Sequence, residues 1–456
     1  MTTENKTYFV ILFALVVSIL TNIKVVNKYD KYEISTDDIE NHAMIKGDIP
    51  SIWKNGEIIK KDLKEGKNYF LAGEEIHRSY LPPRLIALFS YIFDYELFEN
   101  WDKKIINSDN KKIYYLFFQS ILYFLILAIF FREIKKKFDL NTCFFIICFL
   151  SIEPSLFLFH SSFHTESIFF SLQILMMCFL FNDSFSKTKF FFVGLLLGLM
   201  FLQKVLALFY LIPIYLFYFT KYKKRSYNPL IMITSSYLIV LLIVGYSNYK
   251  RSGVFYFNPP GGKTTLHLYL PEIILTKATS ISYEDAYNKK KSDEKQWLIE
   301  NDINLKLEKD RFKYYDYLQN YTLNILIEYP ITTLKFITWK TIQMGVLDPV
   351  YIYNFLDKEN KKRPYFYLDE SYKKINLPLR ILYSTIIYSI VLYGFIKCRK
   401  KISFENHILL VSSIILMYLL LGWVGNSRYA VPTLIYLSIY FGYGIKNIYK
   451  FGEFKK

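Results

Sequence analysis

Long apolar runs alternate with short polar connections along this chain, and the runs have membrane dimensions. Nearly uncharged stretches fall at residues 8–23, 113–131, 141–157, 166–182, 189–202, 204–219, 229–247, 378–396, 407–424 and 430–446. Runs of about 17–25 apolar residues are long enough to cross the hydrocarbon core as helices. The pattern predicts an all-α polytopic membrane protein with about ten transmembrane helices. Two polar stretches interrupt the series and set the expected organisation. Residues 1–248 form an N-terminal transmembrane module containing a first loop at 24–112. Residues 249–377 form a second loop region, and 378–456 supply C-terminal helices and a basic tail. The first run, Tyr8 to Ile23, has no small-residue cleavage site behind it and reads as a retained helix.

Charge decides what hydropathy leaves open. Basic clusters flank the runs: Arg132 with Lys135, Lys136 and Lys137; Lys187 and Lys189; Lys221, Lys223, Lys224 and Arg225; Lys397, Arg399, Lys400 and Lys401; then the tail. The segment Leu81–Phe93 is apolar but only about 13 residues long, short for a crossing. If it crossed, the cluster at 132–137 would change sides and so would every later loop. If it lies flat as an interfacial helix, all the clusters share the cytoplasmic side, as the positive-inside rule requires. That reading puts both termini inside. It gives the outer face to 24–112, to 249–377, and to the connections near Glu153–Glu166, Gln203–Lys204 and Asn426–Tyr429. Within 249–377, Lys289–Asp310 reads as solvated helix. Ile331–Leu347 reads as a second interfacial helix, with Lys335, Trp339 and Lys340 among its apolar residues.

The net charge of +17 would suit nucleic acid, but its placement beside apolar runs points to membrane lipid instead, and no nucleic-acid partner is expected. The four cysteines, Cys143, Cys148, Cys178 and Cys398, lie in or beside apolar runs and predict no disulfide framework. Abundant Lys, Ile, Asn, Phe and Tyr suggest an AT-rich genome and a bacterial inner membrane, with the outer face periplasmic.

Few residues carry chemistry, and most fall on the predicted outer face. Asp48 follows Gly47 and precedes Pro50 and a segment with apolar positions 49, 52, 53, 59 and 63. It reads as an N-cap or as a general base kept ionised by the helix start. Lys204, with Gln203, sits in the middle of an apolar stretch at 189–219 that is too long for one span. A cation at such a turn needs a partner; it either snorkels to the headgroups or binds a lipid-linked phosphate. Arg428-Tyr429 opens the last run, as an interfacial anchor or a bidentate phosphate grip. Glu166 heads an apolar run as an acid facing the site; Glu153, before Pro154, has a similar place. His160 and His164 would share a helix face, but no third metal ligand is visible at a suitable spacing. Asn258-Pro259-Pro260-Gly261-Gly262-Lys263 is a turn without Walker spacing.

The ordered series resembles the GT-C glycosyltransferases that use polyprenyl-phosphate sugars, such as protein O-mannosyltransferases and aminoarabinose transferases. The matching stretches are Gly47-Asp48 through Gly66-Lys67-Asn68-Tyr69, then Tyr80-Leu81-Pro82-Pro83 with Ala87-Leu88-Phe89. Thr165-Glu166-Ser167-Ile168-Phe169 follows, then Gly194 to Lys204 with Ala207 and Pro213, Glu328-Tyr329-Pro330, and Arg428-Tyr429 with Pro432. The resemblance implies a catalytic acid in the first outer loop at Asp48 and donor phosphate binding by Lys204 and Arg428. Glu166, Tyr429, His77 and Arg78 stand as supporting residues. Where the family usually has Arg-Pro, this chain has Lys204-Val205. The implied activity is inverting transfer of a sugar from a polyprenyl-phosphate carrier to a lipid, glycan or protein acceptor on the outer face. No cofactor is identified and a divalent metal stays open. The rival readings are a lipid-linked glycan transporter or flippase, and a glycan polymerase or ligase.

Overall fold

The structure is a computed structural model that describes residues 1–29, 49–73, 80–96, 98–100, 105–106, 110–160, 165–257, 261–305, 307–346, 370–421 and 430–453. It is built of helices: α1 (Thr3–Tyr29), α2 (Ile49–Lys64), α3 (Leu81–Ile92), α4 (Ile113–Ile134), α5 (Leu140–Ile152), α6 (Pro154–Phe159), α7 (Glu166–Phe181) and α8 (Lys187–Gln203) come first. They are followed by α9 (Leu211–Tyr222), α10 (Tyr227–Ser252), α11 (Gly261–Thr279), α12 (Tyr283–Glu300), α13 (Glu308–Glu328), α14 (Pro330–Gly345), α15 (Glu370–Cys398), α16 (Phe404–Leu421) and α17 (Val431–Glu453). Among the described residues, the departure from an all-helical expectation is a small antiparallel pair, β1 (Phe98–Asn100) with β2 (Ile105–Ile106).

Among the described residues, four stretches are long and apolar enough to cross a membrane: Thr3–Lys24, Asn110–Ile134, Val205–Ser252 and Pro378–Cys398. Shorter apolar helices, among them Leu140–Ile152, Glu166–Phe181 and Phe404–Leu420, pack between them. Two expected spans are broken. The run at 141–157 splits at Glu153–Pro154, because proline has no N–H and its ring disfavours helix in the residue before it. The run at 204–219 begins as a 3-10 turn over Val205–Tyr210 before α9 starts.

Burial is arranged for a lipid solvent. The interior is filled by residues such as Tyr123, Phe124, Phe130, Phe169, Leu197 and Tyr436, while Leu12, Phe13, Leu125, Leu242 and Ile243 are exposed. Large aliphatic side chains on the outside of a bundle are stable against acyl chains, not against water. Glycines let helices approach closely. A Cβ at Gly194 on α8 would stand 2.2 Å from the Ile233 carbonyl oxygen of α10, and one at Gly394 on α15 would stand 1.8 Å from that of Tyr440 on α17. Without an oil–water driving force between helices, such backbone approach is what packing in a bilayer exploits.

The ends of the bundle differ in chemistry. Lys137 and Lys221 both bond Asp183, at 2.8 and 2.7 Å, joining the ends of α4, α7 and α9. Burial opposes the charge on Asp183, but the two lysines outweigh it and hold its carboxyl down to about 2. Lys135 pairs with Glu4 at 2.6 Å, and Lys446 of α17 pairs with Asp139. The contact of Gly394 with Tyr440 and Gly444 brings the 397–401 cluster to the same level. The basic clusters therefore share one end, as the charge argument expects.

Helix α3 lies at the other end. Tyr80, just before it, bonds Ser247 near the far end of α10 at 3.3 Å, and the ring of Phe93, just after it, packs tilted against Tyr114 at the start of α4, with centroids 4.5 Å apart. Both termini of α3 are thus at the end opposite those basic clusters, so α3 does not cross. Its exposed Tyr91, Ile92 and Phe93 suit an interfacial helix.

Helices α11 to α14 pack around a separate small core of Leu270, Ile274, Ala286, Ile325 and Phe336. Phe312 at the head of α13 contacts Tyr256 beyond the end of α10, with ring centroids 5.0 Å apart, so this unit also sits at the end away from the lysines. A buried charge cluster ties it together. Lys290 lies 2.7 Å from Glu272 and 3.8 Å from Glu294, and Tyr314 donates to Glu294 at 3.1 Å. Helix α14 carries the expected interfacial pattern, with Ile331, Leu334, Trp339 and Ile342 exposed.

Candidate active site at the end of the bundle away from the basic clusters

The chain breaks helix where the site forms. Helix α8 ends at Gln203, and Lys204 adopts extended backbone (φ −151, ψ 123) before the 3-10 turn begins. Its N–H still bonds Met200 O at 2.7 Å and its carbonyl accepts from Ala207 at 3.0 Å, so the break leaves its backbone satisfied. The extended residue turns the ammonium of Lys204 toward the start of α7. There Nζ meets Glu166 Oε1 at 2.6 Å, with the carboxylate side chain 0% exposed and the lysine 15% exposed. Neighbouring bonds lock the pair. Gln203 Nε2 donates to Thr165 O at 2.9 Å, and Thr165 Oγ1 donates to Glu166 Oε2 at 3.3 Å. The Phe169 ring, one turn below Glu166, lies 6.0 Å from the ammonium. Lys204 is therefore a paired, largely sheltered cation and not a snorkelling one. The partner that its position in an apolar run demands is the acid that heads the preceding helix.

Polar side chains line the wall behind this pair. His160 Nδ1 bonds Ser167 Oγ at 2.7 Å, and its ring packs on Tyr123 at 3.9 Å. His160 is thus a core histidine; His164 lies outside the described residues, and no group of three or more metal-ligating side chains occurs among those described. Glu153 caps the break before α6, accepting from Leu156 N at 2.8 Å and from Tyr383 OH at 2.9 Å. Two turns below Glu166, Gln173 Nε2 donates to Tyr210 OH at 3.1 Å and to Pro432 O at 2.9 Å. This brings the opening of the last helix against α7. Arg428 and Tyr429, just ahead of it, lie outside the described residues, as do Asp48, His77 and Arg78.

In the sequence between Asp48 and His77, the first loop folds as a helix and a tight returning turn. Helix α2, which Asp48 immediately precedes, buries Ile52, Trp53 and Ile59 against α3. It stops at Gly66, whose φ of +81 only glycine adopts without strain. Asp62 then ties the returning chain: Oδ2 accepts from Gly73 N at 2.7 Å, and Oδ1 binds Lys67 at 2.5 Å. Gly73 is also obligatory, with φ +96 and a virtual Cβ only 2.7 Å from Ile59. Arg84, one turn into α3 and almost fully buried, stacks on Tyr80 at 3.6 Å and donates to Phe70 O and Ala72 O at 3.2 and 3.1 Å. Burial in the same cluster pushes the Tyr69 hydroxyl up to about 12. Sequence reasoning flagged Gly66-Lys67 and the Pro-Pro helix but missed Asp62 and Arg84. The available signal was an arginine inside an otherwise apolar helix.

Burial works against the charge on Asp62, yet the hydrogen bonds from Lys67 and Gly73 win and hold its carboxyl below the usual value of 3.8. A carboxyl depressed by folding stabilises the fold above its unfolded value and ceases to do so as pH falls through the lowered one. The 62–73 turn should therefore keep its protection at pH 5 to 7 and open only below about pH 4. Amide exchange at Gly73 measured across that range checks this; loosening already at pH 5 to 6 would contradict the bond to Asp62.

No family model matches the chain, and no curated protein matches it. Among solved structures, it is similar to the oligosaccharyltransferase of Archaeoglobus fulgidus in its apo form, with a TM-score of 0.47 and 13% identity over 96% of this chain and 50% of that one. It is similar as well to that protein, AglB, in complex with an inhibitory peptide and a dolichol-phosphate (TM-score 0.45, 12% identity, 96% and 50% covered). A third is ArnT from Cupriavidus metallidurans bound to undecaprenyl phosphate, with a TM-score of 0.37 and 9% identity over 96% of this chain and 77% of that one. The chain spans about half the length of the archaeal protein.

Proposed function

We propose that this protein is an integral membrane glycosyltransferase of the GT-C type, moving a sugar from a polyprenyl-phosphate carrier to an acceptor on the outer face. The observation that carries the reading is the pair of buried Glu166 with Lys204 at a helix break, at the end of the bundle away from the basic clusters. An ion pair is expensive to bury beside lipid and persists where it has work to do. The resemblance of the ordered motifs supplies the chemistry. In this reading residues 1–248 hold the catalytic module, 249–377 an outer-face region, and 378–456 the closing helices. Asp48 takes the proton of an acceptor hydroxyl or amine as its oxygen or nitrogen attacks the anomeric carbon. The bond to the phosphate oxygen breaks and the polyprenyl phosphate departs with the electron pair. Lys204, held in direction by Glu166, and Arg428 stabilise the charge growing on that phosphate; one preorganised donor contributes about 3 kcal/mol to such a transition state. Tyr429, His77 and Arg78 support the site, the carrier tail lies between helices, and the site faces the periplasm of a bacterial inner membrane.

The test uses the full chain in lipid vesicles with undecaprenyl-phosphate and dolichyl-phosphate sugars labelled in the sugar. The expected result is label in an acceptor with inverted anomeric configuration, and one polyprenyl phosphate released per transfer. Labelled carrier that crosses the vesicle with its glycosidic bond intact would overturn the transferase in favour of a flippase.

A further inference from the structure

Helices α12 and α13 carry an open groove of about 480 Å³ on the outer-face unit. Two large aromatic residues line it without belonging to that unit's core. Trp297 and Tyr317 stack on each other at 4.4 Å and 15°, half-buried, apart from the cluster around Ile274 and Ile325. Burial of core area therefore does not explain them. Tyr321 continues the row one turn on, 6.1 Å from Tyr317, its hydroxyl steadied by Asp293 at 3.4 Å.

Beside this row stands a line of planar hydrogen-bonding groups. Asp316, Asn320 and Asn324 follow at the helical spacing of four that stacks side chains on one face, and all three are exposed. An amide offers both donor and acceptor, and a carboxylate two acceptor oxygens. The ligand that needs both features is a pyranose. One face of its ring presents C–H bonds, which pack on aromatic rings, while its edge presents vicinal hydroxyls that pair with amide and carboxylate forks.

The same stripe of α13 then changes character. Beyond Asn324 it continues into exposed Ile327, and α14 follows with Ile331 and Leu334. The groove thus ends where bare aliphatic surface suited to the membrane begins. A sugar lying there would sit just above the headgroups, the height of a glycan attached to a lipid. We propose that the groove between α12 and α13 binds the glycan of a lipid-linked acceptor, with Trp297 and Tyr317 as stacking floor and Asn320 and Asn324 as hydroxyl readers. The acceptor role rests on the transferase reading; the binding of saccharide does not.

The experiment measures binding without catalysis. The full chain in nanodiscs is titrated with oligosaccharides released by mild acid from the lipid-linked glycans of cells that make the protein. Maltohexaose serves as control, and saturation-transfer NMR as readout. Saturable binding of the released glycans is expected, weakened about tenfold by Trp297→Ala, an interaction of about 1.4 kcal/mol. A similar loss is expected in Asn320→Ala, an exposed position where folding is not at stake. Absence of binding by the released glycans overturns the proposal. So does binding that both groove variants leave intact, or a loss confined to adsorption of the outer-face unit on lipid, which would make Trp297 a membrane anchor. Binding that responds to the groove variants in a protein that transfers nothing would leave the groove standing and remove the transferase reading.

Discussion

Glu166→Ala is expected to destabilise the protein by about 3–5 kcal/mol, the usual consequence of removing one partner from a buried ion pair. The carboxylate has no exposure and its lysine little, so water cannot take over the lost contact. Lys204→Ala should do the same from the other side, leaving a buried carboxylate at the head of α7. The informative variant is the double one. Replacing both groups with apolar residues of similar size, Glu166→Leu with Lys204→Met, removes both charges and their desolvation together, and such swaps are often neutral. The expected pattern in thermal unfolding of the nanodisc-embedded protein is two large single losses and a double variant close to the parent. Transfer activity should be absent from all three, because the phosphate cation is gone or misdirected in each. Single losses below about 1 kcal/mol would place the pair among ordinary exposed contacts. A stable and active double variant would show that the pair only holds α7 against α8.

The pair also shows how far the sequence reaches. Hydropathy located the apolar runs, and charge placed their lysines on one end; the bonds of Asp183, Glu4 and Asp139 to four lysines put them there in space. The same argument kept Leu81–Phe93 out of the span count, and α3 has both ends on one side. Lys204 was legible as a cation in need of a partner, since an isolated ammonium in an apolar run is too costly to leave alone. That the partner is Glu166, 38 residues earlier, depends on how α7 and α8 pack, which no local pattern encodes. The 3-10 turn at Val205–Tyr210 was hidden for a related reason. Its composition is as helical as that of its neighbours, and only the extended Lys204 separates them. The stack of Trp297 on Tyr317 joins a segment that reads simply as solvated helix, Lys289–Asp310, to a helix beyond it, a pairing set by tertiary packing.

Asp48→Asn should reduce transfer by about 10²–10⁴-fold, the range associated with a positioned general base, while leaving the fold unchanged. The two roles open to this residue make opposite demands, and asparagine separates them. As an N-cap, Asn serves about as well as Asp, because an amide oxygen accepts from the free N–H groups of a first turn just as a carboxylate does. Helix α2 begins at Ile49 and is anchored by Trp53 and Ile59, so its start is preserved in this variant. As a base, however, Asn has no basic oxygen able to take the acceptor's proton at neutral pH. Asp48→Ala completes the comparison: it should lose transfer equally and in addition lose about 1 kcal/mol of stability with the cap. Initial transfer rates set against unfolding temperature for the three proteins decide the matter. If Asn keeps the parent rate while Ala lowers only stability, Asp48 is a cap and the base must be sought elsewhere in the first loop. If both lose transfer and only Ala loses stability, the residue does both jobs, and the helix that it caps is what holds the base in place.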